Sequence, residues 1–540
     1  MPIPHSIHNL CDLLDRAANN HPRKIALKDR DDNGYSHWNY SELANLSYSF
    51  ARLLKEKSVH NNSIVGLLIP NSKWWGLAFF AAIACDATVV PIDTRLSAEE
   101  SNAIIKAAGI NLLISADIFD EKNKLLNVKE IIEIDISAAG HNFLKKISAY
   151  KSAPLTRNNL RIHNALIIFT SGTTGSPKGV PLTHGNLLID IFDMLDVLEI
   201  SEKESFVSIL PLNHVFEITG GFLSPIALNA MVTYTRSLRP DIIFKVIQDS
   251  KMTIMMVVPS FLKLFLSKIK KKAAKNAGNK FYKLLNLSLF LTKLKIPAGK
   301  FIFPKIKNAL SSNFKGFICG GAPLDVDVVK ELHALGITVL QGYGLTETSP
   351  VVAVNTLKYN RHGSVGKKLP NAEFKINPKN GELLVRGGMV FNGYFNDKIQ
   401  TENVFYKDWF KTGDLAKIDK HGFLYIVGRV KSIIVTAGGK NIYPEYVETF
   451  IKKCEDVSEA CVIGVSDKSG AEKPVAVISI KSNSDKSENE IKNEIKAILE
   501  QIAEYQRPKN YIFMDNLPMT SSHKVKREKL KQLINKNYNT

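Results

Sequence analysis

The stretch ALIIFTSGTTGSPKGVPLTHGN spans residues 165–186. Its first part, Ala165–Thr170, is an apolar run typical of a buried strand. The strand leads into a loop with three glycines, four hydroxyl side chains and Lys178, and a helix is expected to begin near Thr183 or Asn186. Glycines let backbone N–H groups approach an anion closely, hydroxyl groups add donors, and a lysine adds a positive charge. The stretch therefore predicts a phosphate-binding loop at the end of a strand.

Two widespread phosphate motifs do not fit this loop. Lys178 is followed by Gly179, so the pattern GxxxxGK[ST] is absent, and the dinucleotide pattern GxGxxG is absent as well. A plain Gly/Ser/Thr turn is the alternative interpretation. The number of phosphate-competent groups in so short a segment favours phosphate binding.

The sequence before the loop alternates between helical and strand-like patterns. Helical spacing over Ser41–Lys55 is followed by a strand at Ser63–Ile69, a buried helix at Trp74–Cys85 and a strand at Ala87–Ile92. Further strand-like runs follow the loop, at Ile254–Val258, Gly316–Ile318 and Ile337–Leu340. This rhythm predicts an α/β fold, with a mostly parallel sheet flanked by helices.

After about Asn371 the pattern changes to short strands and turns, which indicates a small β-rich subdomain. From Lys431 onward the chain has the pattern of a small α+β unit. Its predicted elements are helices at Glu445–Cys454 and Glu488–Glu504 and strands at Glu459–Val465 and Val475–Ile480.

Composition excludes several classes of protein. The chain has 540 residues, 45% of them hydrophobic and 23% charged, which excludes wholesale disorder, collagen and small disulfide scaffolds. Its five cysteines form no CxxC pair, so a disulfide framework or a zinc site is not expected, and a cytoplasmic location fits best. The N-terminus lacks the pattern of a signal peptide. The longest apolar run has 12 residues, whereas a membrane-spanning helix needs about 20.

Positive charge is concentrated in one region. The 71 Lys and Arg residues against 52 Asp and Glu residues give a net charge of +19. Residues 251–324 contain 15 Lys, no Arg and no acidic residue, so the rest of the chain carries only 19 − 15 = +4. This basic region needs an explanation of its own.

A family resemblance follows from the loop and from motifs that succeed it in order. TSGTTGSPKG resembles the signature loop of the adenylate-forming superfamily, which includes acyl-CoA synthetases, peptide synthetase adenylation domains and luciferases. The other motifs that resemble this superfamily are LPLNHVFEITGG (210–221), GGAPL (320–324), QGYGLTETSP (341–350), WFKTGDL (409–415), GRVKSIIVTAGGKNIYPEYVE (428–448) and LPMTSSHKVKREKL (517–530). Nearly the whole chain is covered.

The resemblance implies a division into an N-terminal domain of residues 1–428 and a small mobile C-terminal domain of residues 432–540, with a hinge at Lys431. It also implies a reaction with ATP and Mg²⁺. A carboxylate attacks the α-phosphorus of ATP and gives an acyl-adenylate and pyrophosphate, after which coenzyme A displaces AMP. Because both partners of the first step are anionic, the site must neutralise charge and align the reacting atoms.

The resemblance assigns roles to individual residues. The groups expected to hold the β- and γ-phosphates are Thr170, Ser171, Gly172, Thr173, Thr174, Gly175 and Lys178. Thr346 would contact the α-phosphate and Glu347 would bind Mg²⁺. The adenine would be framed by Gly320, Gly321, Ala322, Tyr343 and the adjoining Gly344. Asp414 would bind the ribose hydroxyl groups, and Arg429 would lie near the ribose or the phosphates.

The remaining roles belong to the acyl group, the thiol and the moving domain. Lys524 is expected to be the catalytic lysine that bridges the carboxylate and the α-phosphate. His523 precedes it where the family usually has Gly, which puts the geometry of that loop in question. His214 would lie near the acyl carbonyl, with a satisfied core histidine as the alternative. After rotation about Lys431, the segment Gly438–Gly439 would line the tunnel for the pantetheine thiol.

The basic region bears on the substrate. Phe281–Lys295 has Leu and Phe at helical spacing between lysines, which suits an anionic membrane surface contacted through residues 263–307. A solvated lysine face is the alternative, and nucleic acid is not expected because Arg is absent. The segment up to GGAPL resembles the long-chain fatty acid branch, so the expected activity is that of a long-chain fatty acid–CoA ligase. An enzyme that passes the acyl group to a carrier-protein thiol, a luciferase-like oxygenase and a non-catalytic nucleotide-binding scaffold are the alternatives.

Overall fold

The computed structural model describes residues 3–31, 34–119, 128–157, 160–171, 177–237, 239–294, 296–436, 440–466, 472–482, 484–519 and 525–538. The elements up to the phosphate hairpin and its helix are α1 (Cys11–Asn20), β1 (Ile25–Asp31), β2 (Gly34–Asn39), α2 (Tyr40–Glu56), β3 (Ile64–Leu68), α3 (Lys73–Ala84), β4 (Thr88–Pro91), α4 (Ala98–Ala108), β5 (Leu112–Ala116), β6 (Glu130–Ile134), α5 (His141–Ile147), β7 (Asn164–Ser171), β8 (Pro177–Thr183) and α6 (His184–Leu198).

The elements of the middle of the chain are β9 (Ser205–Ser208), α7 (Ser224–Ala227), β10 (Met231–Thr235), α8 (Pro240–Asp249), β11 (Ile254–Val257), α9 (Pro259–Ala277), α10 (Asn279–Lys293), α11 (Gly299–Ile302), α12 (Pro304–Leu310), β12 (Gly316–Cys319), α13 (Val326–Ala334), β13 (Val339–Tyr343), β14 (Ala353–Val354) and β15 (Lys367–Lys368). A π-helical turn, Glu217–Leu223, precedes α7.

The last elements are β16 (Ala372–Ile376), β17 (Glu382–Gly387), α14 (Lys398–Val404), β18 (Phe405–Tyr406), β19 (Trp409–Ile418), β20 (Leu424–Arg429), β21 (Ile434–Val435), β22 (Asn441–Ile442), α15 (Pro444–Ile451), β23 (Val457–Ser466), β24 (Glu472–Ile480), α16 (Glu488–Leu499), β25 (Asn510–Phe513) and α17 (Arg527–Tyr538). Among the helices of the described ranges, none is both long and apolar enough to cross a membrane.

The chain forms two compact units. The first contains residues 1–373 and 386–408, and the second contains residues 374–385 and 409–540. The second unit thus includes strands on both sides of Lys431, and the predicted division at that residue stays a prediction.

Two mixed sheets form the framework of the first unit. One has the strand order β6-β5-β3-β4-β7-β8 and the other has the order β15-β14-β13-β12-β11-β9-β10-β1-β2. Most neighbouring strands are parallel, and antiparallel pairs lie only toward the ends, for example β7 with β8 and β13 with β14. Helices cover these sheets because their strands are apolar on both faces. The predicted α/β fold is confirmed.

The second unit contains the β-rich subdomain and the C-terminal α+β elements. In the subdomain β16, β17, β19 and β20 lie side by side, with β19 antiparallel to both β17 and β20. Farther along the chain β23, β24 and β25 form a three-stranded sheet. Helices α15 and α16 bury Val447, Ile451, Ile491 and Ile495 in one apolar core with this sheet.

Local sequence explains where the main helices begin. Asn39 caps α2 by accepting from the Glu42 N–H, and the Glu42 carboxylate accepts in return from the Asn39 N–H. Thr183 and Asn186 form the same kind of reciprocal cap on α6, so this helix begins at His184 as expected. Helix α3 is buried on all sides, which agrees with its continuous apolar sequence.

Two local predictions were wrong. Lys178 lies on strand β8 rather than in a loop, because PKGVPLT returns antiparallel along β7. The helix predicted over Glu488–Glu504 ends at Leu499, and a short 3₁₀ turn at Glu504–Gln506 follows. The hairpin was missed because its glycine-rich sequence lacks the apolar alternation of a strand, and the polar sequence after Leu499 did not show where the helix ends.

Candidate active site

The predicted phosphate-binding segment is a β-hairpin. In it β7 and β8 are antiparallel, and Thr170 lies opposite Lys178. Residues 172–176 and the side chain of Ser171 lie outside the described part of the chain, so the roles of Gly172, Thr173, Thr174 and Gly175 stay predictions. Because β7 and β8 pair up to this point, the two ends of the loop lie close together, which a loop that surrounds an anion requires.

Gly179 is the point where a second segment packs on this hairpin. Its carbonyl oxygen accepts a hydrogen bond of 2.9 Å from the Phe395 N–H. A Cβ atom at Gly179 would lie 3.0 Å from Phe395 Cβ and 3.2 Å from the Phe169 ring. The absence of a side chain at Gly179 therefore lets the residues around Phe395 approach the phosphate hairpin.

Tyr394 connects the lysine of the hairpin with the carboxylate predicted to bind Mg²⁺. The Lys178 ammonium lies 3.2 Å from the centroid of the Tyr394 ring, a cation–π contact. The Tyr394 hydroxyl donates a hydrogen bond of 2.9 Å to Glu347 Oε1. Burial and the neighbouring Glu347 charge raise the pKa of the Tyr394 phenol, so it stays a donor at neutral pH. Tyr394 thus contacts the Lys178 ammonium through the face of its ring and the Glu347 carboxylate through its hydroxyl group.

The turn that carries Thr346 and Glu347 is fixed by its own backbone and by the segment before Tyr394. The Glu347 carbonyl oxygen accepts from the Phe391 N–H at 2.9 Å, and the Ser349 hydroxyl donates to the Met389 carbonyl at 2.8 Å. The side-chain amide of Asn186, on α6, donates to the carbonyl groups of Gly388 and Val390. The half-buried Glu347 carboxylate is therefore held by a rigid framework.

The predicted adenine-binding residues lie at one edge of the larger sheet. Strands β11, β12 and β13 are parallel neighbours, and the Gly320 N–H donates to the Val257 carbonyl at 3.2 Å. Gly321 has a φ of +81°, a conformation that glycine adopts without strain. Because parallel strands end at a common edge, Gly320–Ala322 and the end of β13 at Tyr343 and Gly344 are neighbours. The strand pairing thus places Gly320–Ala322 next to Tyr343, and the role of these residues in binding adenine stays a prediction.

His214 lies in a segment held by both sheets. The Asn71 side chain, which follows β3, donates to the Leu210 carbonyl at 2.5 Å and accepts from the Leu212 N–H at 2.9 Å. His214 is half-buried and close enough to Asp93 to affect its ionisation. Burial by itself would raise the pKa of Asp93, but hydrogen bonds from Arg95 and the nearby His214 hold it below its usual range. The sequence motifs did not single out Asp93.

A buried carboxyl group lies one turn after His214. Glu217 has no exposed surface, and a Cβ atom at Gly221 would lie 2.4 Å from its Oε1. Burial raises the pKa of Glu217 to about 8, an effect that the Ser208 hydroxyl opposes in part. This carboxyl group is therefore mostly protonated at neutral pH. The family resemblance of the surrounding sequence motif implied no role for Glu217.

The second unit holds the predicted ribose residues. Asp414 and Arg429 face each other on β19 and β20, and Arg429 Nε donates to Asp414 Oδ1 at 3.1 Å. The Asp414 side chain is 5% exposed, whereas Arg429 is 57% exposed. The Thr412 hydroxyl accepts from the Asp414 N–H at 3.1 Å and fixes the turn. Asp414 is thus oriented by its neighbours, and Arg429 has the freedom to rearrange around a ligand.

Four predicted residues cannot be placed. Gly438, Gly439, His523 and Lys524 lie outside the described residues. Lys431 is exposed in the short 3₁₀ turn Val430–Ser432. The roles assigned to these five residues stay predictions.

Within the first unit, the hairpin and the oriented Glu347 carboxylate fit phosphate groups and Mg²⁺. Lys178 offers a point charge for phosphate oxygens, and Glu347 offers the carboxylate oxygen that Mg²⁺ prefers. Asp414 offers two oxygens for a diol. Each unit thus carries groups suited to one part of a nucleotide, as expected of an ATP-dependent enzyme that forms adenylates.

The chain belongs to the AMP-binding enzyme family. The model of this family matches residues 14–395, and the model of the AMP-binding enzyme C-terminal domain matches residues 446–524. The chain is an AMP-forming CoA ligase, and ligases of this kind use ATP, Mg²⁺ and coenzyme A as expected.

Three relatives illustrate the range of similar proteins. A long-chain-fatty-acid–CoA ligase of Mycobacterium bovis is 30% identical over 72% of this chain and 69% of its own length. The indoleacetate–CoA ligase of Aromatoleum aromaticum is 26% identical over 97% of this chain and 98% of its own length. Among solved structures, O-succinylbenzoate coenzyme A synthetase from Bacillus subtilis, in complex with ATP and magnesium ion, has a TM-score of 0.79 at 25% identity. The structural match covers 96% of this chain and 99% of that one.

Proposed function

We propose that the chain is a long-chain fatty acid–CoA ligase. The observation that supports a long-chain fatty acid as the substrate is the size and charge of the connection between the parallel strands β11 and β12. A single helix suffices for such a crossover, yet this connection contains the four helices α9 to α12, and it is rich in lysine without any acidic residue. An insertion at this place, before GGAPL, is the feature that resembles the long-chain branch.

The surroundings of the predicted acyl site also favour an apolar acid. A Cβ atom at Gly220 would lie 2.2 Å from the Met256 methyl group, and one at Gly320 would lie 3.1 Å from the Phe216 ring. Val215 is buried beside them, and Glu217 is mostly protonated. An alkyl chain loses no hydrogen bonds when it is buried among such groups. Some relatives are ligases of indoleacetate or 2-succinylbenzoate, so aromatic acids are the competing substrate class.

In the first half-reaction the residues of this chain bind and align two anions. Lys178 and the hairpin loop hold the departing phosphates, and Thr346 contacts the α-phosphate. Glu347 would hold Mg²⁺, which would supply positive charge to the phosphates when bound, and Asp414 holds the ribose. Lys524 bridges the fatty acid carboxylate and the α-phosphate, so that the carboxylate oxygen attacks phosphorus as pyrophosphate departs. His214 lies near the acyl carbonyl.

In the second half-reaction the C-terminal domain rotates about Lys431. The Gly438–Gly439 segment then lines the passage for the coenzyme A thiol, whose sulfur attacks the acyl carbonyl and releases AMP. A carrier-protein thiol is the alternative acceptor, since the chain offers no motif that separates the two. The proposal includes a cytoplasmic location and peripheral contact with an anionic membrane through residues 263–307, where a long-chain acid dissolves.

The test is a product assay by mass spectrometry. The full-length protein receives ATP, Mg²⁺, coenzyme A and an equimolar mixture of straight-chain acids from acetate to arachidate, together with indoleacetate and 2-succinylbenzoate. Lys524→Ala is the control that should remove adenylate formation. Long-chain acyl-CoA as the main product, absent with Lys524→Ala, is the expected result.

Two outcomes would overturn parts of the proposal. Preferred formation of an aromatic acyl-CoA would replace the substrate class. Acyl-adenylate without any thioester would exclude coenzyme A as the acceptor and favour the carrier protein.

A further inference from the structure

Helix α10 has an apolar face that points away from the core. Its other face is buried: Phe281 and Leu285 belong to the core of the first unit, and the Ser288 hydroxyl donates to the Ala334 carbonyl at the end of α13. The helix is thus anchored independently of its outer face. The side chains of that outer face are free to serve another purpose.

The outer face carries a continuous apolar stripe. Leu287, Phe290 and Leu294 are 48%, 59% and 58% exposed. Residues three and four apart lie on one side of a helix, so Leu287 and Phe290 of α10 form a row with Leu294, which directly follows the helix, and Lys283 lies one turn before it. We call this row of four residues, Lys283, Leu287, Phe290 and Leu294, the α10 stripe. Single exposed apolar residues are ordinary, whereas a contiguous row indicates an interaction surface.

A second exposed apolar group follows the stripe in the chain. Ile296 is 47% exposed, and Phe301 is 81% exposed, the highest fraction among the large hydrophobic side chains of the described residues. A phenyl ring so fully in water contributes nothing to the stability of the fold. Its position after the α10 stripe extends the apolar character of this region.

Charge identifies the partner. The stripe lies inside residues 251–324, which contain 15 Lys and no acidic residue. Exposed lysines flank it on both sides, at Lys280 and Lys293. Lysine stems cover apolar surface while their ammonium groups reach anionic headgroups, and apolar side chains between them enter the boundary of the acyl chains.

We propose that the α10 stripe is a docking surface for an anionic lipid bilayer, with Leu287, Phe290 and Leu294 inserted at the boundary between headgroups and acyl chains. Nucleic acid offers negative charge but leaves the apolar row in water. The inference deepens the proposed function and rests on its membrane contact through residues 263–307, for which it names the side chains that insert. Because binding to lipid needs neither ATP nor an acid, the ligase activity and the docking can each fail alone.

The experiment is co-sedimentation of the full-length protein with vesicles, without ATP, acid or coenzyme A. Vesicles of phosphatidylcholine with about 30% phosphatidylserine are compared with phosphatidylcholine alone. The variant Leu287→Ser/Phe290→Ser/Leu294→Ser should partition at least about tenfold more weakly onto the anionic vesicles. Ile399→Ser, at another exposed apolar residue that is 74% exposed, is the matched control and should bind as the unchanged protein does. Lys280→Ser/Lys283→Ser should reduce the preference for phosphatidylserine, whereas Lys398→Ser should not.

A second measurement reports insertion directly. Phe290→Cys is labelled with an environment-sensitive fluorophore, which is selective because the five native cysteines are buried. A blue shift on anionic vesicles is expected. No binding to the anionic vesicles, equal binding to both kinds of vesicle, no shift, or unchanged binding by the triple variant would overturn the proposal. Binding to RNA in place of vesicles, or self-association that the triple variant abolishes, would assign the stripe to a different partner. Thermal unfolding of each variant checks that the fold is intact.

Discussion

At the scale of single residues, Tyr394 is the main feature that the sequence did not reveal. It lies more than 200 positions from Lys178 and 47 positions from Glu347. Its only local signal is the glycine-rich context RGGMVFNGYFND at residues 386–397, which resembles many turns. Since its ring meets a cation and its hydroxyl meets a carboxylate, we assign it a positioning role for both groups.

Tyr394→Phe keeps the ring above Lys178 but removes the hydrogen bond to Glu347. A hydrogen bond to a charged group contributes about 1.5–3 kcal/mol, so we expect adenylate formation to fall by roughly tenfold to a hundredfold. The Mg²⁺ concentration required for half-maximal rate should rise as well. Pyrophosphate exchange measured across a Mg²⁺ titration checks both effects.

The matched control is Tyr425→Phe, which removes a hydrogen bond of 3.3 Å between Tyr425 and Asp419, two residues of the second unit, whereas Tyr394 and Glu347 belong to the first. This variant should keep its rate and its Mg²⁺ requirement. An equal loss in both variants would contradict a specific role of Tyr394.

Glu217 should make stability depend on pH. Its pKa is about 8 in the folded protein against an ordinary value of 4.5, so between these values the folded state binds more protons than the unfolded state. Stability therefore falls as pH rises through this window, by at most about 1.4 kcal/mol per pH unit. Glu217→Gln should remove this part of the slope.

Urea unfolding at several pH values from about 5 to 8 measures this slope. Glu402→Gln, at a carboxylate that is 68% exposed, is the control and should retain it. An unchanged slope in Glu217→Gln would show that Glu217 is already ionised at neutral pH.

At the scale of elements, the turn between β13 and β14 is the most constrained part of the candidate site. A Cβ atom at Gly344 would lie 1.7 Å from the Pro350 carbonyl oxygen, whereas one at Gly342 would meet its nearest atom at 3.4 Å. Both glycines lie in the same short stretch, QGYGLTETSP. Alanine substitutions at these two positions therefore distinguish a steric requirement for glycine from an effect that any substitution close to the site would have.

Gly344→Ala should displace the backbone that carries Thr346 and Glu347. We expect a loss of about 2 kcal/mol or more in stability, since the clash is with backbone, and a large loss of adenylate formation. Gly342→Ala should change both only slightly. Thermal unfolding and pyrophosphate exchange measure the two variants, and similar behaviour of the pair would contradict the steric argument.

At the scale of the whole molecule, the proposed mechanism requires two half-reactions that use different arrangements of the chain. The contacts divide the molecule into two compact units, and Lys431 lies within the second. The proposed rotation about Lys431 can be tested by a substitution at that residue. Proline fixes φ at about −65° and therefore restricts the backbone there.

Lys431→Pro should slow thioester formation by about tenfold or more while acyl-adenylate formation in a single turnover changes far less. Lys431→Ala, which removes the side chain but keeps the backbone free, is the control and should leave the second half-reaction nearly intact. Rapid-quench measurement of acyl-adenylate and acyl-CoA separates the steps. A parallel decrease of both steps in Lys431→Pro would exclude a hinge at this position.

The sequence by itself determined the α/β class, the order of the main elements and the chemical class of the site. Periodicity is a local property, so Tyr40–Glu56, Lys73–Ala84 and Ile254–Val257 were predicted to within two residues. The family and its cofactors followed from motifs whose residues are contiguous in the chain. Each of these inferences needs only neighbours along the backbone.

Only the tertiary structure decided which distant groups meet. It placed Lys178 on a strand, joined it to Glu347 through Tyr394, and paired Asp414 with Arg429 across two strands. It also separated the buried face of α10 from its exposed apolar stripe, although both have the same helical spacing. The physical reason is that burial, ion pairing and close approach are set by packing between segments far apart in sequence, which local periodicity does not encode.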